Sequence, residues 1–481
     1  MRVAGLIAVL LGLGGLSAAA SVPTLAPVGQ LAASTVPGAR AAAASALAGV
    51  VVRPGALRAG RAQAGPPTTA DCERAYEVAC YQPGQIRQAY HLAPLYRAGV
   101  TGRGATIVIV DSFGSPTIRH DLAAFDAAFG LPAPPSLRII HPAGAIPRYN
   151  PRNSDMVGWA GETTLDVEWA HVIAPGANIL LVETPVSETE GVHGFPQIVA
   201  AERYVLDHHL GDVISQSFSA TEETFPGRAA LDALRGAYTL AARDGVTVLA
   251  ASGDSGAADV MRNEKTYYLT PVTSWPDSDP LVTGVGGTQL HFTAGGAPAA
   301  PTVWNDTYNM AANEFAAGNA GPNPLAGGGG ESVFFARPRY QDGLAAITGN
   351  HRGVPDISMS AACDGSVDTY STFGGAPAGW SPSCGTSEAT PLFAGIVALA
   401  DQVAGHPLGL INPVLYQMSA RHDPGIVDVT SGDNTVSFRQ GGRERTVPGF
   451  TARPGYDLAS GVGTVDARYF VPDLARLAAA R

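Results

Sequence analysis

The chain has 481 residues, of which 46% are hydrophobic and 15% charged. This balance excludes a disordered polymer and allows a large buried core. The formal net charge is −11 and no long basic run occurs, so nucleic acid is not expected as a partner.

Taken from its start, the chain opens with Arg2 and an apolar core, Leu6-Ile7-Ala8-Val9-Leu10-Leu11, followed by the small residues Ser17-Ala18-Ala19-Ala20. That layout predicts a secretory signal over 1–20 and an extracellular protein. No later stretch is apolar enough to span a bilayer, so no membrane association is expected once the signal is removed. Residues 21–79 are rich in Ala, Pro, Gly and Ser and read as a linker or short prosegment. The four cysteines of an exported chain should be paired. Proximity in sequence favours Cys72 with Cys80 and Cys363 with Cys384.

From Cys80 onward the texture is that of a folded domain. Tyr81-Gln82-Pro83-Gly84 turns into a short helix. Gly104 to Asp111 is a β-branched run that suits the centre of a parallel sheet covered on both faces. Further strands are predicted at 178–182, 213–217 and 246–251, with helices near 161–173, 198–208 and 230–243. This alternation implies an α/β fold, a doubly wound and mostly parallel sheet with helices on both faces, in one large domain over 80–481. Active sites on such sheets gather at the carboxyl ends of the strands. Asp111, Ser215 to Ser217 and the turn Ser252-Gly253-Asp254-Ser255-Gly256 all lie at such ends.

The helix near 161–173 carries the first chemical signal. At about 100° per residue, Leu165, Trp169, Val172 and Ile173 form an apolar stripe. Glu162 and Asp166 fall within it, one turn apart, while Thr164 and His171 point the other way. Two carboxylates on a buried face need partners or a purpose. Placed together they titrate as a coupled pair, able to supply a general base and the group that orients it. The alternative is a pair of carboxylates satisfied by backbone or Arg. Asp254 is either a turn-former or, when protonated, a hydrogen-bond donor to an oxyanion. The last signal is Cys384-Gly385-Thr386-Ser387-Glu388-Ala389-Thr390-Pro391, which runs into a buried helix predicted to begin near Ser387. Pro391 is read as lying in its first turn. Free amides and the helix dipole favour a developing negative charge there, which suits a serine nucleophile. Taken alone, Ser387 also reads as a simple N-cap.

Together these motifs resemble the sedolisin family of serine-carboxyl peptidases, which have a subtilisin-like fold. Gly385-Thr386-Ser387 with Pro391 matches the family's nucleophile motif, Glu162 and Asp166 its helical acid pair, and Ser252 to Gly256 its oxyanion turn. Leu281 to Thr288, Gly329 to Ser332, Pro338 to Gln341 and Arg352 to Asp356 also match, in the family's order, from about Cys80 to the C-terminus. The resemblance implies a Ser387–Glu162–Asp166 triad with Asp254 as oxyanion donor, and an acid-active endopeptidase acting as a monomer on protein or peptide substrates. It also implies one structural calcium ion held by carboxylates of Asp428 and Asp457 and by carbonyls of Val429, Arg453 and Gly455. The chain departs from the family pattern at Cys384, where Ser is usual, at Arg453, where Gly is usual, and in having only 21–79 where relatives carry a long folded prodomain. Three rivals are a subtilisin with a histidine base, a tripeptidyl-peptidase of the same family, and a secreted binding protein on the same fold. Substrate pocket walls are expected from Ser215 to Ser217 and from the loops near Trp169 and Phe218.

Overall fold

The computed structural model describes residues 65–479 and the backbone of Leu57–Arg58. The expected signal and most of the expected linker lie outside the described residues. The segment just before Cys80 is already folded. A helix, α1 (Thr69–Tyr76), starts at a capping box in which Thr68 and Asp71 satisfy each other's backbone amides. A disulfide joins Cys72 to Cys80.

An eight-stranded sheet forms the centre. Its strands are β1 (Thr106–Ser112), β2 (Leu137–Ile140), β3 (Asn178–Thr184), β4 (Val213–Gln216), β5 (Thr247–Ala251), β6 (Thr283–Phe292), β7 (Pro298–Val303) and β8 (Ile357–Ser360). The order across the sheet is β7-β6-β5-β4-β1-β3-β2, with β8 also paired to β6. Every pairing is parallel except that of β7 with β6. Side chains alternate between two cores, as strand geometry requires. In β1, Ile107 and Ile109 join one cluster and Val108 and Val110 the other. Both faces of β1 are therefore dry, which explains its unbroken apolar run.

The helices that cover the face shared by Ile107 and Ile109 are α3 (Ser154–Ile173) and α6 (Thr386–Ala404), while α4 (Phe195–Asp207) and α5 (Gly236–Asp244) cover the other. Two expectations change. The helix expected near 161–173 begins at Ser154, where the Asn153 side chain caps it by accepting from the Met156 amide. Beyond its first turn it has no wet face: every residue from Trp159 to Ile173 is buried. Its second side packs against α2 (Ile118–Phe129), so Thr164 and His171 are as dry as the apolar stripe. The helix expected near 230–243 is two shorter ones, Arg228–Leu234 and α5.

Helix α6 lies against α3 because Gly395 has no side chain. A Cβ there would sit 2.5 Å from Cβ of Ile173. A hairpin of β9 (Ser366–Ser371) and β10 (Gly379–Cys384) leads into α6. The second disulfide, Cys363 to Cys384, fixes that entry. Both cysteine pairs are those expected from proximity.

Candidate active site

Ser387 is the second residue of α6. Gly385 precedes the helix at φ 121°, a conformation L side chains rarely adopt, and a Cβ there would lie 2.6 Å from Oδ2 of Asp254. Glycine is thus what lets the nucleophile turn meet the Asp254 turn. The Thr386 amide and hydroxyl both donate to Asp254 Oδ1, at 2.7 and 2.8 Å. The Gly253 amide donates to the same Thr386 hydroxyl at 3.2 Å. Asp254 Oδ2 is buried and has no hydrogen-bond partner among the described residues. Burial raises the Asp254 carboxyl to about 6, against the lowering effect of the Thr386 hydrogen bonds. Below that pH it is a neutral acid with an O–H to donate.

Pro391 sits in the second turn of α6, one turn later than expected. It has no N–H to offer the carbonyl of Ser387 four residues earlier. The Ser217 hydroxyl stands in, 3.4 Å from that carbonyl oxygen, and is also 2.9 Å from Asp166 Oδ1. Ser217 therefore ties the acid pair to the backbone of the nucleophile. Asp166 is fully buried, and its carboxyl is pushed well above the usual range by burial, then by Asp111 and Glu162 nearby. The Ser217 hydroxyl donates to Asp166 Oδ1, with the Ser387 carbonyl oxygen as its second, longer acceptor.

Glu162 is 1% exposed, so it faces the interior and not solvent. Its charge acts on Asp166. The Ser387 hydroxyl is buried and makes no hydrogen bond among the described residues. The structure thus brings Asp166, Ser217 and Ser387 together through direct hydrogen bonds and sets Glu162 beside Asp166, without a hydrogen bond from the Ser387 hydroxyl. Asp111, at the end of β1, completes the group. Burial raises it to about 7, eased by the Thr163 hydroxyl and reinforced by Glu183.

No histidine takes part. His171 is buried on the far side of α3, its Nε2 2.7 Å from the Pro132 carbonyl oxygen. Burial lowers its imidazole to about 4. His193 is exposed in the loop before α4.

The two segments expected to hold calcium meet. Asp428 Oδ2 accepts from the Gly455 amide at 2.9 Å, and Asp457 Oδ2 from the Arg453 amide at 3.0 Å. Asp457 Oδ1 takes the Ala459 and Ser460 amides and the Ser460 hydroxyl. Val429 is buried and Arg453 exposed. Two carboxylates held in one loop pair, each with an oxygen accepting a single N–H, keep lone pairs for a hard cation. The donor set fits calcium.

From the sequence, Ser217 is expected as a strand end and a pocket wall, not as a link between Asp166 and Ser387, and Thr386 has no role of its own. Ser217 shares the strand parity of Val213, which faces α3 and α6. That alternation is the signal that points Ser217 toward the site.

Residues 149–441 match the subtilase family. Kumamolisin from Bacillus sp. is 30% identical over 396 residues, covering 80% of this chain and 62% of kumamolisin. Sedolisin from Pseudomonas sp. is 28% identical over 367 residues, covering 76% of this chain and 57% of the relative. Human tripeptidyl-peptidase 1 is 30% identical over 324 residues, covering 64% and 50%. The chain thus spans less than two thirds of the length of each of these relatives. Among solved structures, Pseudomonas sedolisin, a serine-carboxyl proteinase complexed with pseudo-iodotyrostatin, superposes with a TM-score of 0.65 at 25% identity, covering 84% of this chain and 98% of that one. The eight-stranded sheet, the motif order and these likenesses agree: the chain belongs to the subtilase family, within its sedolisin branch of serine-carboxyl peptidases.

Proposed function

We propose that the protein is a secreted, acid-active serine-carboxyl endopeptidase. The observation that carries this reading is the buried acid pair Glu162 and Asp166, tied through Ser217 to the backbone of Ser387, with no imidazole in the group. Ser387 attacks the scissile carbonyl. Glu162 takes the hydroxyl proton and passes it to the leaving amine. Asp166 positions Glu162. Asp254, protonated, joins the start of α6 in holding the tetrahedral oxyanion. A carboxylate base has an ordinary pKa of about 4, and the Asp254 donor needs its proton, so both ends of the site favour acid.

Calcium is the proposed structural ion, held by carboxylates of Asp428 and Asp457 and by carbonyls of Val429, Arg453 and Gly455. When bound it supplies charge that pins the two C-terminal loops, and it takes no part in the chemistry. Secretion is supported by the signal-like N-terminus and by the two disulfides. Among the described residues no helix is long and apolar enough to cross a membrane.

The test is digestion of a peptide library by purified wild-type protein and Ser387→Ala from pH 3 to 8. Cleavage in acid that the substitution abolishes is the expected result. Full activity in the variant, or an optimum above neutrality, defeats the mechanism. Internal cuts distinguish an endopeptidase from a tripeptidyl-peptidase, which releases only N-terminal tripeptides.

A further inference from the structure

A cavity of about 350 Å³ lies where the carboxyl ends of β1, β2 and β3 meet the first turn of α3. Phe113, Tyr149 and Met156 supply apolar walls, and Ser115, His141 and Glu183 the polar ones. Nothing in the proposed catalytic chemistry uses it.

The polar wall is a built one. The Ser115 hydroxyl is buried, with the residue 5% exposed, and has no partner among the described residues. His141 Nε2 and Glu183 Oε2 are paired at 2.8 Å. The apolar wall is fixed too. The Tyr149 hydroxyl donates to the Gly374 carbonyl at 2.6 Å. Phe113 is held at φ 60°, a left-handed conformation unusual for a bulky residue, with its amide donating to the Thr184 carbonyl at 2.9 Å.

The cavity adjoins the acid group. Phe113 and Ser115 lie two and four residues after Asp111, and Glu183 is the register partner of Asp111 across β1 and β3. Met156 precedes Glu162 on α3 by a helical rise of about 9 Å. An extended peptide covers that distance in about three residues. The geometry points to a pocket for a substrate side chain a few residues from the scissile bond, selecting a tyrosine-like group: large, mainly apolar, with one neutral hydroxyl at its tip. This rests on the peptidase reading above.

The choice follows from the walls. A side chain of aromatic size fits the volume and meets apolar surface along its body. At the tip, the bare Ser115 hydroxyl can donate or accept. His141 and Glu183 are already bonded to each other, so a charged tip has to break that contact to gain a partner there. A neutral hydroxyl avoids that penalty. Sites that hydrogen-bond a hydroxyl discriminate against analogues lacking it, because their own polar groups are then left unpaired.

The experiment uses the full-length protein at pH 4 and a peptide series carrying Tyr, Phe, Lys, Glu or Ala at each position two to four residues from the cut bond. The readout is the ratio of kcat/KM values within each enzyme, so a loss of active protein cancels. At one position Tyr is expected to exceed Ala by about thirtyfold and Phe by about fivefold, the scale of a buried ring and one hydrogen bond. Ser115→Ala should bring the Tyr-to-Phe ratio near one while Phe stays above Ala. Ile146→Trp, which fills the cavity from its rim, should bring the Phe-to-Ala ratio near one. Cleavage with equal rates at every position overturns the pocket and leaves the peptidase reading standing, as does a preference for Lys or Glu or ratios that neither variant moves. No cleavage of any peptide overturns both.

Discussion

The Ser217 hydroxyl lies 2.9 Å from Asp166 Oδ1 and 3.4 Å from the carbonyl oxygen of Ser387, the carbonyl that Pro391 leaves without a helical donor. One small side chain thus links the acid pair on α3 to the nucleophile on α6. Replacing Ser217 with Ala removes that link and leaves Asp166 and the carbonyl less satisfied. We expect kcat to fall about tenfold with KM little changed, the scale of one hydrogen bond to a buried group. Ser217→Thr, which keeps the hydroxyl, should restore most of the loss. Steady-state kinetics on one peptide at pH 4 measures both, and unchanged kcat in Ser217→Ala refutes the linkage.

Asp254 donates to an oxyanion only while it holds its proton, and burial sets that limit at about pH 6. Above it, the carboxylate adds a negative charge where negative charge must develop. An amide donates at every pH. Asp254→Asn should therefore shift the alkaline limb of the kcat profile upward, at a cost of about tenfold at pH 4. Asp254→Ala should cost about 10² to 10³ below pH 6, as for the loss of an oxyanion donor, and progressively less above it. A pH profile in the Asn variant that overlays the wild type contradicts the assignment.

Calcium bound at Asp428 and Asp457 stabilises only the folded chain, so its effect on Tm should depend on concentration. At a hundredfold excess over Kd the gain is about 2.7 kcal/mol. Chelator should lower Tm by several degrees, and added calcium should restore it. In Asp457→Asn both responses should be lost. Differential scanning calorimetry reads this independently of activity, and a Tm indifferent to chelator rules the site out.

Stability should decline from pH 4 to pH 7. Asp254, raised to about 6, and Asp111 and Glu183, raised to about 7, each hold a proton in the folded state over a range where the unfolded chain has released it. Their stabilising contribution is complete below their ordinary values and is lost as pH rises through the raised ones. Glu202, raised to about 8 by burial, acts in the same sense. His171, lowered to about 4, acts oppositely: its contribution grows as pH rises from 4 toward its ordinary value. The acids outnumber the single imidazole, so their loss of stability on going to neutral pH outweighs its gain. Thermal unfolding at fixed ionic strength should give the higher Tm at pH 4, and a maximum at neutrality contradicts the balance.

The sequence determined much of this protein. Strand runs such as Ile107 to Asp111, the helix that begins beside Ser387 and the spacing of Glu162 and Asp166 follow from local rules of periodicity and turn chemistry, which neighbouring residues enforce. Proximity was enough to pair the cysteines. Tertiary structure alone decided the rest. That α3 is dry on all sides from Trp159 onward depends on α2 covering its second face, which no period within α3 reveals. That Ser217 serves both Asp166 and Ser387, that Thr386 fastens Asp254, and that Ser115, His141 and Glu183 share one cavity are contacts between segments far apart in the chain. Their geometry is set by how the sheet and two helices pack, and a one-dimensional pattern carries no record of that distance.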